Sequence, residues 1–316
     1  MENISTTYTN FVLVGLVQME SFRYLYALFA FAVYANSLFV SSMIFYVICT
    51  EESLHEPMYI FISCLVFNVM YGASAFLPKM LVDLLSLNSM ISLPGCLFQG
   101  FCIQSYSVAE IFIFTLIAYD RYLAVGHPLR YPTLMTNLTS LKLIFAVWIL
   151  VLMGTSVAVL LIPRLTFCAV NINNVFCETV SLLRLSCVDV TVNNIYGITW
   201  TLFVTISCIL VVLYCYIRTI LICLKLPADA SQKAFQTLVT HVIAFFIFMV
   251  GTMFLAFRYR LNGGSLSTIA HVVISMSGMS TAITVNPLIY GIRTKALRVK
   301  IAHNLQNVLV QFKIKQ

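Results

Sequence analysis

The chain of 316 residues is 61% hydrophobic and only 9% charged, with a mean hydropathy of +0.97 and a formal net charge of +7. A soluble domain of this length needs a polar surface that this composition does not supply, which argues strongly against a soluble globular enzyme. The composition predicts instead a protein whose solvent is largely lipid. The net positive charge of the chain suits contact with an anionic membrane leaflet better than binding of nucleic acid.

Seven segments are long and apolar enough to cross a bilayer as helices, since a hydrocarbon core of about 30 Å needs about 20 residues per helix. Short segments of alternating polarity, typical of membrane barrels, are absent from the sequence. We therefore predict an all-α membrane protein, a bundle of seven transmembrane helices whose two termini lie on opposite sides. The predicted spans, numbered 1 to 7, are Tyr24–Ile48, Pro57–Leu81, Leu97–Tyr119, Leu143–Ile162, Ile195–Ile217, Ala234–Phe257 and Leu266–Ile292.

The basic residues indicate the orientation of the bundle. With the N-terminus outside, twelve of the eighteen Lys and Arg residues fall in the inner loops and the tail, as the positive-inside rule requires. The acidic stretch EESLHE (51–56) opposes this orientation weakly, because acids contribute little to the rule. Asn3 begins a glycosylation sequon that only an outer N-terminus can use, whereas the sequon at Asn137 falls inside and is interpreted as chance.

The two ends of the chain differ in character. The first 20 or so residues lack a basic stretch followed by an apolar one, so no cleaved signal peptide is predicted and span 1 is expected to direct insertion. Residues 294–305 place apolar residues on one face and basic residues elsewhere, which predicts an amphipathic helix along the inner leaflet. The expected organisation is an outer N-terminus (1–23), a transmembrane domain (24–292) and an inner tail (293–316).

Four of the ten cysteines are predicted to face the oxidising exterior. Cys96 begins span 3, whereas Cys168, Cys177 and Cys187 lie in the long loop between spans 4 and 5. Four cysteines allow three pairings, and a bridge to span 3 would hold this loop over the mouth of the bundle. Free thiols are the less favoured alternative in an outer loop. No His and Cys spacing resembles a zinc site.

Few polar side chains fall at membrane depth, where such groups are candidates for function. Glu110 in span 3 is the only acid deep in a predicted span, Asn36 lies in span 1, and Asn286 precedes Pro287 in span 7. Hydrogen bonding between helices explains the asparagines at least as well as a direct role does. A transporter that uses Glu110 as its proton or cation site remains an alternative. The sequence contains no catalytic or phosphate-binding motif, so neither an enzyme nor a cofactor is predicted.

Four stretches, in order along the chain, resemble odorant (olfactory) receptors, a branch of the rhodopsin-like G-protein-coupled receptors. LHEPMYIFIS (54–63) is similar to LHxPMYxFLS at the start of their second helix, and AYDRYLAVGHPLRYPTLM (118–135) resembles MAYDRYVAICHPLHYPTIM after the third. KAFQTLVTH (233–241) is similar to KAFSTCxSH, and NPLIYGIRTKALR (286–298) is similar to NPxIYSLRNKxVK. Residues 65–85 look more like the fish-type, or class I, branch than the commoner mammalian branch.

The resemblance implies a plasma-membrane receptor that binds a small odorant and activates a stimulatory, olfactory-type heterotrimeric G protein, which raises cAMP. A non-olfactory chemosensory receptor on the same scaffold is the alternative within this class. In such receptors the DRY arginine pairs with its neighbouring acid at rest and meets the G protein once helix 6 moves outward. The implied switch residues are Asp120, Arg121, Tyr122, Tyr216, Asn286, Pro287 and Tyr290.

The resemblance also implies two disulfides, Cys96–Cys177 and Cys168–Cys187. Val69 stands where the family usually has an aspartate that would share a sodium site with Glu110. Because one of the two acids is missing, no metal site is predicted. Glu110 is expected instead to form an inner polar cluster by hydrogen bonding with Asn36 of span 1 or the asparagine of span 7.

The family's ligand pocket lies among the outer halves of helices 3, 5 and 6, beneath the long loop. The helical repeat selects the residues of span 3 that face inward. The predicted lining is Ile103, Gln104, Ser107, Val108, Trp200, Val204, Met253, Phe254, Phe257 and Arg260. Core packing is an equally good interpretation of the aromatic members. Arg260 matches a position where some class I receptors hold a ligand carboxylate, which raises the hypothesis of an acidic or zwitterionic odorant; a solvated loop arginine is the slightly favoured alternative.

Overall fold

The structure is a computed structural model that describes residues 8–225, 227, 232, 238–239, 241–253, 268–293 and 297–304. The helices are α1 Val14–Gln18, α2 Arg23–Thr50, α3 Pro57–Ser86, α4 Leu93–Gly126, α5 Tyr131–Leu134, α6 Asn137–Leu160, α7 Thr179–Leu183, α8 Thr191–Cys223, α9 His241–Met253, α10 Thr268–Arg293 and α11 297–304. The strands are β1 Asn10–Leu13, β2 Met90–Ser92 and β3 Asn171–Ile172.

The helical bundle predicted from the sequence is confirmed. Within the described ranges, six helices are long and apolar enough to cross a membrane, and α9 is a shorter apolar helix in the region of span 6. Spans 1 to 7 correspond in order to α2, α3, α4, α6, α8, α9 and α10. The apolar side chains that these helices leave exposed, such as Phe145 and Leu160 of α6, lie where lipid would surround the bundle.

Helix α4 is the centre of the bundle, because it packs against α3, α6, α7 and α8. Ser92 caps it by accepting a hydrogen bond from the Gly95 amide, and Pro94 occupies its first turn, where no intrahelical donor is needed. Its 34 residues span about 50 Å, well beyond the hydrocarbon thickness. It therefore starts before and ends after the predicted span, since its backbone hydrogen bonds continue into the polar interface.

A three-stranded sheet, which was not predicted from the sequence, joins the N-terminal segment to two loops. β1 is the central strand, antiparallel to β2 and parallel to β3. Phe11 of β1 is fully buried and packs edge-on against Phe167, with ring centroids 5.2 Å apart. At Gly15 an added Cβ would lie 2.7 Å from the backbone carbon of Asn174 and from the Val272 side chain, so this close approach requires glycine.

Both disulfides implied by the resemblance are present in the structure. Cys96–Cys177 joins the first turn of α4 to the long loop, with Cα atoms 5.2 Å apart, and Cys168–Cys187 closes that loop on itself, with Cα atoms 5.6 Å apart. The Cys177 amide also donates to Gln99 Oε1 of α4 over 2.8 Å. The loop is therefore fixed to α4 by a covalent bond and an adjacent hydrogen bond.

Helix α11 follows α10 and packs back onto the bundle. Leu297 is fully buried and Ile301 is half-buried, as the predicted amphipathic pattern requires, whereas Leu305 lies outside the described residues. Lys300 Nζ lies 2.6 Å from Glu51 Oε2 in the loop between α2 and α3. This ion pair connects the segment after the last span to the segment after the first.

Candidate functional site: a cavity and a helix-end switch

A cavity of about 160 Å³ lies between α4 and α8, beneath the long loop, and is called the α4–α8 cavity. The described members of the predicted pocket all line it: Ile103, Gln104, Ser107, Val108, Trp200, Val204 and Met253. The remaining three predicted members, Phe254, Phe257 and Arg260, lie outside the described residues, so the carboxylate-binding role of Arg260 stays a prediction. The residues of α4 that the helical repeat selected thus all lie at this cavity, and their role in ligand binding stays a prediction.

The sequence reasoning missed the part of the wall that the long loop supplies. Phe176, Glu178 and Thr179 line the cavity from above, and Leu183 of α7 joins them. The bridge at Cys177 could have indicated these residues, since a disulfide to α4 must bring the neighbours of that cysteine to the same helix. Further missed lining residues are Gly100, Ile111, Ala158, Ile162, Val180, Asn193, Gly197, Thr201, Thr205, Thr252 and Met279.

Glu178 is the one ionisable side chain in the described lining of the α4–α8 cavity. Its Oε1 accepts a hydrogen bond of 2.6 Å from Asn174 Nδ2, and Asn174 is fully buried. Its backbone oxygen accepts from Ser181 Oγ over 2.7 Å in a capping arrangement at the start of α7. The carboxyl group is therefore held in place at the roof of an otherwise mostly apolar cavity.

Helices α6 and α8 approach closely where a glycine faces a tryptophan. An added Cβ at Gly154 would lie 2.2 Å from the Trp200 ring, and the Gly154 carbonyl accepts a hydrogen bond of 2.7 Å from the Tyr196 hydroxyl. The ring of Trp200 is thereby seated between the α4–α8 cavity and α6. The absence of a side chain at Gly154 therefore determines the position of the Trp200 ring in the cavity wall.

Substitution Gly154→Val is expected to weaken the odorant response at least tenfold, because the added side chain displaces the Trp200 ring toward the cavity. The measurement is the concentration of odorant that gives a half-maximal response, corrected for receptor at the cell surface. Gly251→Ala is the control, since an added Cβ there meets its nearest atom only at 3.8 Å. Equal responses from Gly154→Val and the control would show that Trp200 does not shape the site.

A buried set of hydrogen bonds, the Glu110 cluster (Glu110, Asn68 and Asn286), joins α4 to α3 and α10. Asn286 Nδ2 donates to Glu110 Oε1 over 2.7 Å, and Asn68 Nδ2 donates to Glu110 Oε2 over 2.5 Å. Asn68 Nδ2 also reaches the Tyr106 carbonyl at 3.1 Å. Each cluster member is at most 1% exposed. Both carboxyl oxygens are thus occupied by carboxamide donors from two other helices.

The prediction that Asn36 belongs to this inner cluster is wrong. Asn36 is exposed on α2, whereas its neighbour Ser37 is buried. Buried positions on α2 recur every three or four residues, and adjacent residues on a helix point about 100° apart. The residue of α3 that belongs to the Glu110 cluster was likewise not predicted from the sequence. Val69 was considered there and is buried, but the residue that reaches Glu110 is Asn68, one position earlier on the helix.

Asp120 and Arg121 do not form the predicted ion pair. Asp120 Oδ1 instead accepts a hydrogen bond of 2.7 Å from the Tyr131 hydroxyl of α5, and Asp120 is 1% exposed while Arg121 is half-buried. Successive helix residues do not face each other, which explains why the expected pair is absent. Burial, followed by the charge of Asp120, raises the pKa of Tyr131, so its phenol stays protonated as the donor.

Helices α8 and α9 meet near this end of α4. Tyr216 of α8 hydrogen-bonds with Nδ1 of the buried His241 of α9, and Phe114 of α4 packs edge-on against the imidazole at 5.5 Å. Tyr122 is buried and packs against Tyr214, with ring centroids 5.7 Å apart. Of the predicted switch residues, Asn286 and Pro287 lie in α10, and the side chain of Tyr290 is outside the described part of the chain.

A family model described as olfactory receptor matches residues 29–308. The chain belongs to the olfactory receptor family. Olfactory receptor 5AP2 of Mus musculus is 34% identical over 97% of this chain and 96% of its own length, and olfactory receptor 6N1 of Homo sapiens is 31% identical over 94% and 95%. The crystal structure of squid rhodopsin superposes with a TM-score of 0.73 over 92% of this chain and 87% of its own, at 16% identity, which shows a shared fold.

The receptor is therefore an odorant-sensing G-protein-coupled receptor and a multi-pass protein of the plasma membrane. Members of this family are signalling receptors that respond to odorants through G proteins, so the receptor is not an enzyme. Its assignment to the fish-type branch remains a prediction from the sequence.

Proposed function

We propose that the receptor binds a small odorant in the α4–α8 cavity and activates a stimulatory, olfactory-type G protein that raises cAMP. The observation that supports the proposal most directly concerns the pocket residues implied by the family resemblance. All of those that the structure describes line one cavity of about 160 Å³. A protein cavity of about 150 Å³ is large enough for a molecule of the size of benzene. A mostly apolar lining with a few polar groups is typical of small-molecule sites.

The orientation that accompanies this proposal places the N-terminus outside and the C-terminus in the cytoplasm. The disulfide-bonded loop is on the same side of the bundle as the sheet that contains β1, which suits an oxidising exterior. Helix α11, with the basic residues Arg298 and Lys300, suits the anionic inner leaflet. The boundaries 1–23, 24–292 and 293–316 belong to the same proposal.

Helix α9 connects the cavity to the switch. At one end Met253 lines the cavity, and its Sδ lies 3.9 Å from Thr205 Oγ1 of α8. At the other end His241 hydrogen-bonds with Tyr216 of α8 and packs against Phe114 of α4, the helix that carries Arg121. An odorant that fits better when α9 has moved outward shifts the equilibrium toward the state in which Arg121 meets the G protein.

The size of the odorant limits the strength of this effect. Driving a two-state equilibrium from 1:99 to 99:1 requires about 5.5 kcal/mol of differential binding free energy. A molecule small enough for a cavity of about 160 Å³ makes few contacts, so weak affinity and broad tuning follow. The Glu110 cluster does not line this cavity, and both Glu110 oxygens already accept hydrogen bonds, which favours a receptor over a transporter that uses Glu110.

The proposal is tested by odorant-stimulated cAMP in cells that express the receptor with an olfactory-type G protein. Val204→Trp, which fills the cavity, is expected to lower odorant sensitivity at least tenfold, and Arg121→Ala is expected to abolish the response. Val211→Trp is the matched control, because Val211 is on the same helix but 41% exposed at the surface of the bundle. All variants are compared at equal surface amounts.

Three outcomes separate the alternatives. An unchanged response in Val204→Trp would show that the ligand binds elsewhere. A response that persists in Arg121→Ala would contradict the proposed coupling, and uptake of a solute that depends on Glu110 would favour a transporter. Expression confined to tissues other than olfactory epithelium would favour a non-olfactory chemosensory receptor.

A further inference from the structure

Three hydroxyl groups that line the α4–α8 cavity already donate their only hydrogen to their own helix. Each bonds to the carbonyl four residues earlier, at 3.0 Å for Ser107, 2.7 Å for Thr201 and 2.9 Å for Thr252. A fourth hydroxyl, that of Thr205, points to the Met253 sulfur. Because a hydroxyl has one hydrogen and two lone pairs, these groups present acceptors rather than donors to a bound molecule.

The lining has two further residues with a side-chain N–H group, Asn193 and Trp200. Asn193 Oδ1 accepts from Arg164 over 2.8 Å, and Asn193 Nδ2 donates one of its two hydrogens to the Leu161 carbonyl over 3.0 Å, which leaves the second hydrogen as a further donor in the lining. The indole nitrogen of Trp200 is buried and has no hydrogen-bond partner among the described residues.

The roof of the cavity adds one acceptor and one donor. The Glu178 carboxylate is an acceptor that already takes a hydrogen bond of 2.6 Å from Asn174 Nδ2. Gln104 Oε1 is approached by the Thr179 hydroxyl at 3.5 Å, which leaves the carboxamide NH₂ of Gln104 as a side-chain donor beside the second Nδ2 hydrogen of Asn193. A ligand group that both donates and accepts matches this arrangement best.

We infer that the α4–α8 cavity selects odorants that carry a hydroxyl group over ketones and ethers of the same shape. The inference deepens the proposed function and rests on it, since it concerns the same cavity. A hydroxyl gives its hydrogen to the acceptors on α4, α8 and α9 and takes one from Gln104. A ketone or ether can only accept a hydrogen, from Gln104 or Asn193, and so leaves the hydroxyl acceptors unused, unless a threonine gives up its bond to the helix. One such hydrogen bond corresponds to a factor of about three to ten in potency.

The test compares matched pairs, cyclohexanol with cyclohexanone and 2-heptanol with 2-heptanone, by concentration–response of cAMP in cells that express the full-length receptor. The alcohol of each pair is expected to be about three- to tenfold more potent. Thr201→Val removes an acceptor at nearly constant shape and is expected to bring the ratio toward one. Thr155→Val is the matched control, because Thr155 makes the same bond to its own helix, at 2.7 Å, but does not line the cavity.

The possible failures are distinguishable. Ketones as potent as alcohols, or a ratio unchanged by Thr201→Val, would overturn the inference while leaving the proposed function standing. A potency unaffected by the cavity-filling Val204→Trp would overturn the proposed site and the inference together. A receptor that reaches the surface and responds to neither class of odorant would also overturn the inference.

Discussion

Replacement of Glu110 by alanine is expected to destabilise the receptor by about 2–4 kcal/mol and to remove most of its surface expression. The substitution leaves the carboxamides of Asn68 and Asn286 buried without their acceptor. An unsatisfied buried polar group costs about 1–3 kcal/mol, and hydrogen bonds between membrane helices average about 0.6 kcal/mol, so the estimate for two groups lies between these limits. The measurement is the thermal-unfolding midpoint of the purified receptor in detergent.

Glu110→Gln is the graded control for this prediction. Glutamine keeps one carbonyl oxygen as an acceptor and nearly the same volume, so its unfolding midpoint is expected to fall between those of the alanine variant and the parent. Thr284→Val on α10 removes a hydrogen bond of 2.7 Å to the Ser280 carbonyl outside the cluster and is expected to have a small effect. If Glu110→Ala unfolds at the temperature of the parent, the cluster does not hold α3, α4 and α10 together.

Cys177→Ser is expected to abolish surface expression and odorant response, and Cys168→Ser is expected to have a smaller effect. The first bridge closes a sequence separation of 81 residues and the second a separation of 19. Loop-closure entropy assigns them about 4.5 and about 3 kcal/mol, respectively. The first bridge also holds Phe176 and Glu178 over the cavity, so its loss removes part of the binding site.

This prediction is measured by antibody staining of an N-terminal epitope on intact cells, which tests the proposed orientation at the same time. Cys49→Ser is the control, because Cys49 is free and exposed. The double variant Cys96→Ser, Cys177→Ser is expected to resemble either single variant, since one bond is lost in each case. An effect of Cys168→Ser that equals or exceeds that of Cys177→Ser would contradict the ranking.

The sequence predicted those features that depend on long apolar runs or on family motifs. The spans follow from runs of about 20 apolar residues, and the pairing of Cys96 with Cys177 came from the resemblance, because the residues alone left three pairings open. The described pocket residues on α4 followed from the helical repeat once the family had indicated the face.

The errors arose where a single residue position or a distant partner decides the outcome. Asn68 rather than Asn36 reaches Glu110, because the rotation of each helix about its axis depends on packing that an apolar run does not specify. Asp120 binds Tyr131 and not its neighbour Arg121, because consecutive helix residues diverge. The strands are two to four residues long, which is too short for an alternating pattern to indicate them.

The sheet also constrains the order in which the chain can be completed during synthesis. β1 is made first, yet its partners β2 and β3 follow about 80 and 160 residues later, after the second and the fourth span. β1 therefore has no partner strand while the first two spans are made, and its second partner becomes available only after the fourth. The three-stranded sheet is thus completed only when more than half of the transmembrane helices have been made, so β1 reaches its final conformation well after its own synthesis.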